Sequence, residues 1–184
     1  IYTNGKLVTP ELMNEFEKRN ICPEFSMSFD GIGYHDWLRG VDGAEKIVLN
    51  AFKLCRERNF PTSSEMCIHK KNKHTLRESV NLLASLGVKS LKVTHILPTE
   101  LWKDYQEEYD ISIDEVFETY LDYIPWFYKD GMPMDIILAG LFFGKKGSKE
   151  YYIPCERFDG DDSVKKRCMC RHARNVMYID AKGK

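Results

Sequence analysis

The chain has 184 residues, of which 43% are hydrophobic, and a formal net charge of -1. This length holds one ordinary domain, or one domain and part of another, and the apolar content excludes a disordered chain. Near-neutral charge argues against a nucleic-acid partner, which calls for a basic excess; the short runs KKGSK (145–149) and VKKR (164–167) read as a solvated turn and a solvated loop.

No apolar run approaches ~18 residues, so no membrane span is expected. No leader segment is legible, and a cytoplasmic location is the expectation. The chain starts at Ile1 directly in strand-like sequence, which predicts a piece of a longer protein.

IYTNG reads as a strand end and a turn, with Asn4-Gly5 suited to positive φ. Thr9, Pro10 and Glu11 form a helix start: a capping hydroxyl, a proline in the first turn and an acid near the dipole. Leu12, Met13 and Phe16 supply its buried face, and Asn20 ends it. EFSMSFDG follows as a short strand with a polar end, and HDWLRG lies in the loop after it. Residues 43–59 repeat apolar positions at three and four (Ile47, Val48, Ala51, Phe52, Cys55) and predict a helix. TSSEMCIHK is the next strand. Thr75-Leu-Arg-Glu78 has the form of a capping box, with Val80, Leu83 and Ala84 on one face and Gly87 as the stop. VKSLKVTHIL is a strand with Leu91, Val93 and His95 on one side and Lys92, Thr94 and Ile96 on the other.

These units recur at roughly thirty residues, the length of a strand-helix-strand crossover. They predict an α/β fold: parallel strands at 1–4, 24–29, 62–69 and 90–96, joined by right-handed crossovers with the helices on one outer face. Periodicity alone leaves a doubly wound sheet and a barrel open. Polar residues at the C-terminal end of each strand (Thr3-Asn4, Ser28 to Asp30, Glu65 to His69, Thr94-His95) favour a partial (β/α) barrel, whose active site lies at that edge.

The pattern then changes. Ser112-Ile-Asp-Glu115 is a second capping box, opening a helix with Val116, Phe117, Tyr120, Tyr123 and Ile124. Pro125 is expected to kink or close it. The aromatic run from Tyr120 to Tyr128 reads as a core helix, with a binding wall as the alternative. MDIILAGLFFG fits a strand or a buried helix. A boundary near Lys149 divides the chain into a first domain, 1–149, and the start of a second, 150–184, in which VMYID reads as a strand.

Several chemistries lack their markers: there is no GxGxxG, no P-loop, no HExxH and no GxSxG. SFDG supplies a hydroxyl and a carboxylate two residues apart, so Ser28 and Asp30 point the same way from a strand end, and Gly31 permits close approach of a ligand. Arg39 can pair with a carboxylate or phosphate, or equally with Asp36 or Asp42. Of six cysteines, Cys22, Cys55 and Cys67 sit in or beside apolar patterns and read as small core hydrophobes. Cys155, Cys168 and Cys170 cluster in a polar tail, where soft thiolates suit zinc or an iron–sulfur cluster. Three are one short of a tetrahedral set, with His172 a possible nitrogen ligand.

Five quoted stretches together resemble one family. TNGKL (3–7), FSMSFDG (25–31), HDWLRG (35–40), KKNKHTLRESVNLLASLGVKSLKV (70–93) and CRHARNVMYIDAKGK (170–184) occur in the order found in radical S-adenosylmethionine enzymes with a C-terminal SPASM or twitch domain. Cys170 and Gly183 are separated by twelve residues, inside the range of the first SPASM motif. The CxxxCxxC that holds that family's catalytic cluster is absent, as are the SPASM cysteines beyond the first, and Arg171, His172 and Ala173 stand where Gly-x-Gly is common.

The resemblance implies the central part of such an enzyme. Its cofactors are S-adenosylmethionine, a catalytic [4Fe-4S] cluster whose ligands lie outside this chain, and one or more auxiliary [4Fe-4S] clusters. A 5′-deoxyadenosyl radical takes hydrogen from a peptide or protein substrate, and ferredoxin or flavodoxin supplies electrons. Ser28, Asp30, Arg39, Glu65 and Thr94 are then the cofactor-facing residues, and Cys170, Cys168 and Cys155 the auxiliary metal ligands. The alternatives are a non-enzymatic α/β module holding zinc or a partner, and an ordinary barrel aldolase or hydrolase, for which the strand-helix units are too few.

Overall fold

The computed structural model describes residues 1–96, 102–139, 142–144, 146–147 and 151–152. Strand β1 (Tyr2–Thr3) leads through helix α1 (Pro10–Lys18) to β2 (Phe25–Ser28). Short helix α2 (His35–Arg39) and long helix α3 (Ala44–Glu57) connect to β3 (Thr62–Ile68). A 3-10 turn (Lys73–Thr75) opens into α4 (Leu76–Ser85), which leads to β4 (Ser90–His95). Helices α5 (Lys103–Tyr109) and α6 (Ile113–Lys129) precede β5 (Asp135–Leu138), and β6 (Phe142–Gly144) and β7 (Tyr151–Tyr152) follow.

The strands lie side by side in chain order, β1 to β5 parallel and β6 and β7 antiparallel. Order decides between the two sheet types left open above. A doubly wound sheet reverses direction at a switch point. Here successive crossovers advance one strand each time, and right-handed crossovers that never reverse put α1, α3, α4 and α6 on one face. Burial agrees. Phe25, Met27, Met66, Ile68, Leu91, Val93, Ile136 and Leu138 are buried with the helices. Their alternating neighbours Ser26, Ser28, Glu65, Cys67, Lys92 and Thr94 are less buried and line the other face. The fold is the partial (β/α) barrel: apolar outward under helices, polar inward.

Helix starts show how local conformation decides capping. Thr9 and Ser112 are extended (φ -118, ψ 160; φ -66, ψ 157), and their hydroxyls accept from Leu12 and Glu115 amides. At Ser112 the full capping box forms. Thr75 instead has φ -91 and ψ 1 and makes no side-chain cap. The 3-10 turn before it carries the chain in helically, and its hydroxyl donates to the Asn72 carbonyl at 2.8 Å. The expected box there is therefore absent.

Other expectations are corrected. HDWLRG is a short helix rather than a loop, closed by Gly40 in the left-handed region. Helix α6 continues through Pro125; Leu121, whose carbonyl the proline leaves without its helical donor, is exposed. Its aromatic residues Tyr120, Tyr123 and Phe127 are core, as the first reading had it. MDIILAGLFFG contains strands β5 and β6. Cys22 is exposed in the loop after α1, not a core residue. Gly5, at φ +82, brings the first turn against α3, where a Cβ would meet Ala51 at 3.2 Å. Of the expected 150–184 domain only Tyr151 and Tyr152 are described, as β7; the boundary at Lys149, VMYID and the three tail cysteines fall outside the described residues.

Candidate functional site at the strand ends

Ser28, Glu65 and Lys92 stand in one row across β2, β3 and β4. Side chains in register on one face are neighbours, and Lys92 Nζ lies 3.6 Å from Glu65 Oε1. One step further along, Cys67 pairs with Thr94. Thus Ser28, Glu65 and Thr94 share the inner face near the C-terminal ends of their strands, with Lys92 added. Thr94 is half-buried, its hydroxyl donating to the His95 carbonyl at 3.3 Å.

Asp30, two residues past Ser28, sits at a buried junction with 0% exposure. Arg39 Nε donates to its Oδ2 at 2.7 Å, and Nη2 lies 2.7 Å from the same oxygen as an ion pair. His35 Nδ1 lies 3.0 Å from the same oxygen. The Cys67 amide donates to Oδ1 at 3.1 Å. Asn72 completes the junction: its amide donates to the carbonyls of Asp30 at 2.7 Å and Cys67 at 2.8 Å, and its oxygen accepts from the His69 amide at 2.8 Å. The ends of β2 and β3 and the start of α2 are tied at one point. Gly31 beside it has φ +96, and a Cβ there would meet the Thr75 hydroxyl at 2.5 Å. The close neighbour of Gly31 is this turn, where a ligand was expected.

Arg39 pairs with Asp30 rather than Asp36 or Asp42. Asp36 instead accepts from the Gly43 and Glu45 amides at 2.7 and 2.6 Å and starts α3. These backbone donors hold its carboxyl below the usual range.

Beyond Arg39 opens a cleft of about 410 Å³, walled by Trp37, Cys67, Ile96, Trp102 and Tyr105. Trp102 and Tyr105 stack with ring centroids 5.9 Å apart, and Lys71 lies over the Trp37 and Tyr109 rings at 4.2 and 4.6 Å. His69 is buried against Trp37 and Trp102. Its Nδ1 accepts from the Lys71 amide at 3.2 Å, so the neutral ring carries its proton on Nε2, which has no partner. Burial pushes this histidine down to about 4. The Cys67 thiol is pushed up to about 11, first by burial and then by the charge of Asp30. It is a neutral thiol at physiological pH.

The inner-face row was legible from strand alternation. Alternation puts Lys92 on the Thr94 face as well; His35, His69, Asn72 and Trp102, which surround the row, carry no signal of this kind. His35 and Arg39 are four residues apart on one helix, the spacing that shares a face, and this was the available signal for the junction. Among the described residues, no group of three or more His, Cys, Asp and Glu side chains is placed to hold a metal, and no helix is long and apolar enough to cross a membrane. Cys155, Cys168 and Cys170 lie outside the described residues.

No protein-family model matches the chain, and no curated protein matches it in sequence. Its fold does match solved structures. SuiB of Streptococcus suis aligns with a TM-score of 0.53 at 15% identity, covering 74% of this chain and 31% of SuiB. A domain of a pyruvate-formate lyase-activating enzyme from Bacteroides vulgatus aligns with a TM-score of 0.50 at 16% identity, covering 72% of this chain and 77% of that domain. The chain therefore spans less than a third of SuiB's length. At these identities the likeness is one of fold.

Proposed function

We propose that this chain is the central part of a radical S-adenosylmethionine enzyme that modifies a peptide or protein. The observation that carries the reading is the polar inner row: Ser28, Glu65 and Thr94 meet at the C-terminal ends of a singly wound parallel sheet, with the anchored Arg39 close by. The motif resemblance and the fold held in common with SuiB and the activating-enzyme domain support it.

The donor set fits a zwitterionic nucleoside. Arg39 suits the methionine carboxylate, and Glu65 suits the amino group or a ribose hydroxyl. Ser28 can donate or accept beside them, and Thr94 reaches the ribose or the substrate. The aromatic cleft suits a planar base and keeps water away from it. When bound with its cluster, the cofactor supplies a carbon radical that takes hydrogen from the substrate. This chain binds, orients and shields.

In the same reading, the intact enzyme is cytoplasmic, its catalytic cluster is held by residues outside this chain, and ferredoxin or flavodoxin feeds it electrons. Residues 150–184 begin a SPASM-like domain in which Cys170, Cys168 and Cys155 serve auxiliary clusters. The test is anaerobic reconstitution of the full-length protein, followed by assay for 5′-deoxyadenosine. Iron with labile sulfide and reductant-dependent product are expected. Ser28→Ala should weaken cofactor binding by about tenfold or more, the loss of one hydrogen bond to a charged group, with the fold intact. Stoichiometric zinc with no cofactor binding would replace the reading with a metal-binding module.

A further inference from the structure

Asp30 was grouped above with the residues that face the cofactor, yet its carboxylate has no room for one. The side chain is fully buried, and both oxygens already accept from protein donors: Oδ2 from Arg39 and Oδ1 from the Cys67 amide. Its own carbonyl is held by Asn72 at 2.7 Å. The carboxylate is fixed from the β3 side and reaches outward to Arg39. Arg39 is different. Its side chain is 38% exposed and lines the cleft. Asp30 takes the Nε donor and sits against Nη2, so one edge of the five-donor guanidinium is held and donors on the rest of it are left for a ligand.

We infer that Asp30 is a positioning residue: its buried carboxylate grips one edge of the Arg39 guanidinium, so that the remaining donors face the cleft and bind the carboxylate of the cofactor's amino-acid tail. This rests on the proposed function. An unanchored arginine at a cleft mouth samples many rotamers, whereas a guanidinium held on one edge is set for two-pronged recognition on another. Asp30 also offsets the Arg39 charge, so the cleft does not collect anions indiscriminately. The device is separate from the nucleoside contacts, and that separation makes it testable.

The experiment titrates the reconstituted full-length protein with two probes. S-Adenosylhomocysteine carries the amino-acid tail. 5′-Methylthioadenosine carries the same nucleoside without it. In Asp30→Asn, affinity for S-adenosylhomocysteine should fall about tenfold, the scale of a coupled charged contact, while that for methylthioadenosine stays within about twofold. Adding Arg39→Gln to Asp30→Asn should cost little beyond Arg39→Gln alone, because both act through one link. Equal losses for both probes, an unchanged S-adenosylhomocysteine affinity, or fully additive losses would overturn the inference and leave the proposed function standing. A wild-type protein that binds neither probe removes both. If Asp30→Asn does not fold, Arg39→Lys tests the link from its other end, since it keeps the charge and gives up the fork. Wild-type affinity for S-adenosylhomocysteine in that variant would equally sink the assignment.

Discussion

A hydrophobic core has no use for a fully buried Asn72 or His69, and at the end of β3 each is held by specific bonds. Asn72 makes three, to two carbonyls and one amide of neighbouring strand ends. Asn72→Ala leaves all three backbone groups unpaired, at roughly 1–3 kcal/mol each. Urea denaturation should show a loss of about 3 kcal/mol or more, against about 0.5 kcal/mol or less for Asn50→Ala on the exposed side of α3. His69 gives a pH signature. Its folded value of about 4 lies below the ordinary 6.5, so the unfolded chain takes up the proton first. Stability from this group is therefore full above pH about 6.5, falls as pH drops, and levels off near 4. The shift corresponds to about 3 kcal/mol at the acid end. Between pH 7 and 4.5 the urea midpoint of wild type should fall, and His69→Gln should flatten that slope. An unchanged slope in the variant would mean that His69 is not the group responsible.

At the scale of elements, the strands and long helices were readable because a buried face imposes its period on sequence. β3 alternates buried and partly buried residues along its length, and α3 repeats Val48, Ala51, Phe52 and Cys55 on its inner side. Helix α2 was unreadable because five residues are too few to show a period. The Thr75 box failed because capping depends on the backbone angles of the cap, which sequence does not display. Ser112→Ala should cost about 1 kcal/mol by thermal or urea unfolding, the usual value of a cap. Thr75→Ser, which keeps the hydroxyl that bonds the Asn72 carbonyl, should cost less than Thr75→Val, which loses it. The inner row Ser28, Glu65 and Thr94 was legible from strand alternation. The junction around Asp30 joins residues 30, 35, 39, 67 and 72, and no single periodicity spans a strand end, a short helix and the next strand. The cleft draws Trp37 and Trp102 from segments far apart in the chain, so only the folded sheet brings them together.

At the scale of the whole molecule, the sheet separates two kinds of cysteine environment. Cys55 is buried on the inner side of α3, and burial pushes its thiol up to about 11. Cys67 is raised to about 11 as well. Neither stands in a group of three or more His, Cys, Asp and Glu side chains placed to hold a metal among the described residues. The tail cysteines remain the candidates. Cys170 and Gly183 have twelve residues between them, the spacing on which the SPASM resemblance rests. In the proposed reading Cys170 supplies one soft sulfur ligand, which suits an iron–sulfur cluster. In the full-length protein, Cys170→Ala should lower iron per chain by up to about four atoms for a [4Fe-4S] cluster and impair product formation. Cys55→Ala should keep all its iron and cost packing alone, about 1–3 kcal/mol. Iron and sulfide quantitation on the two purified variants decides the matter, with thermal unfolding run beside it. Full iron content after Cys170→Ala would take that residue out of the cluster. Loss of a whole cluster after Cys55→Ala, in a variant that is still folded, would place a metal ligand under the helices, where the sheet should have only packing.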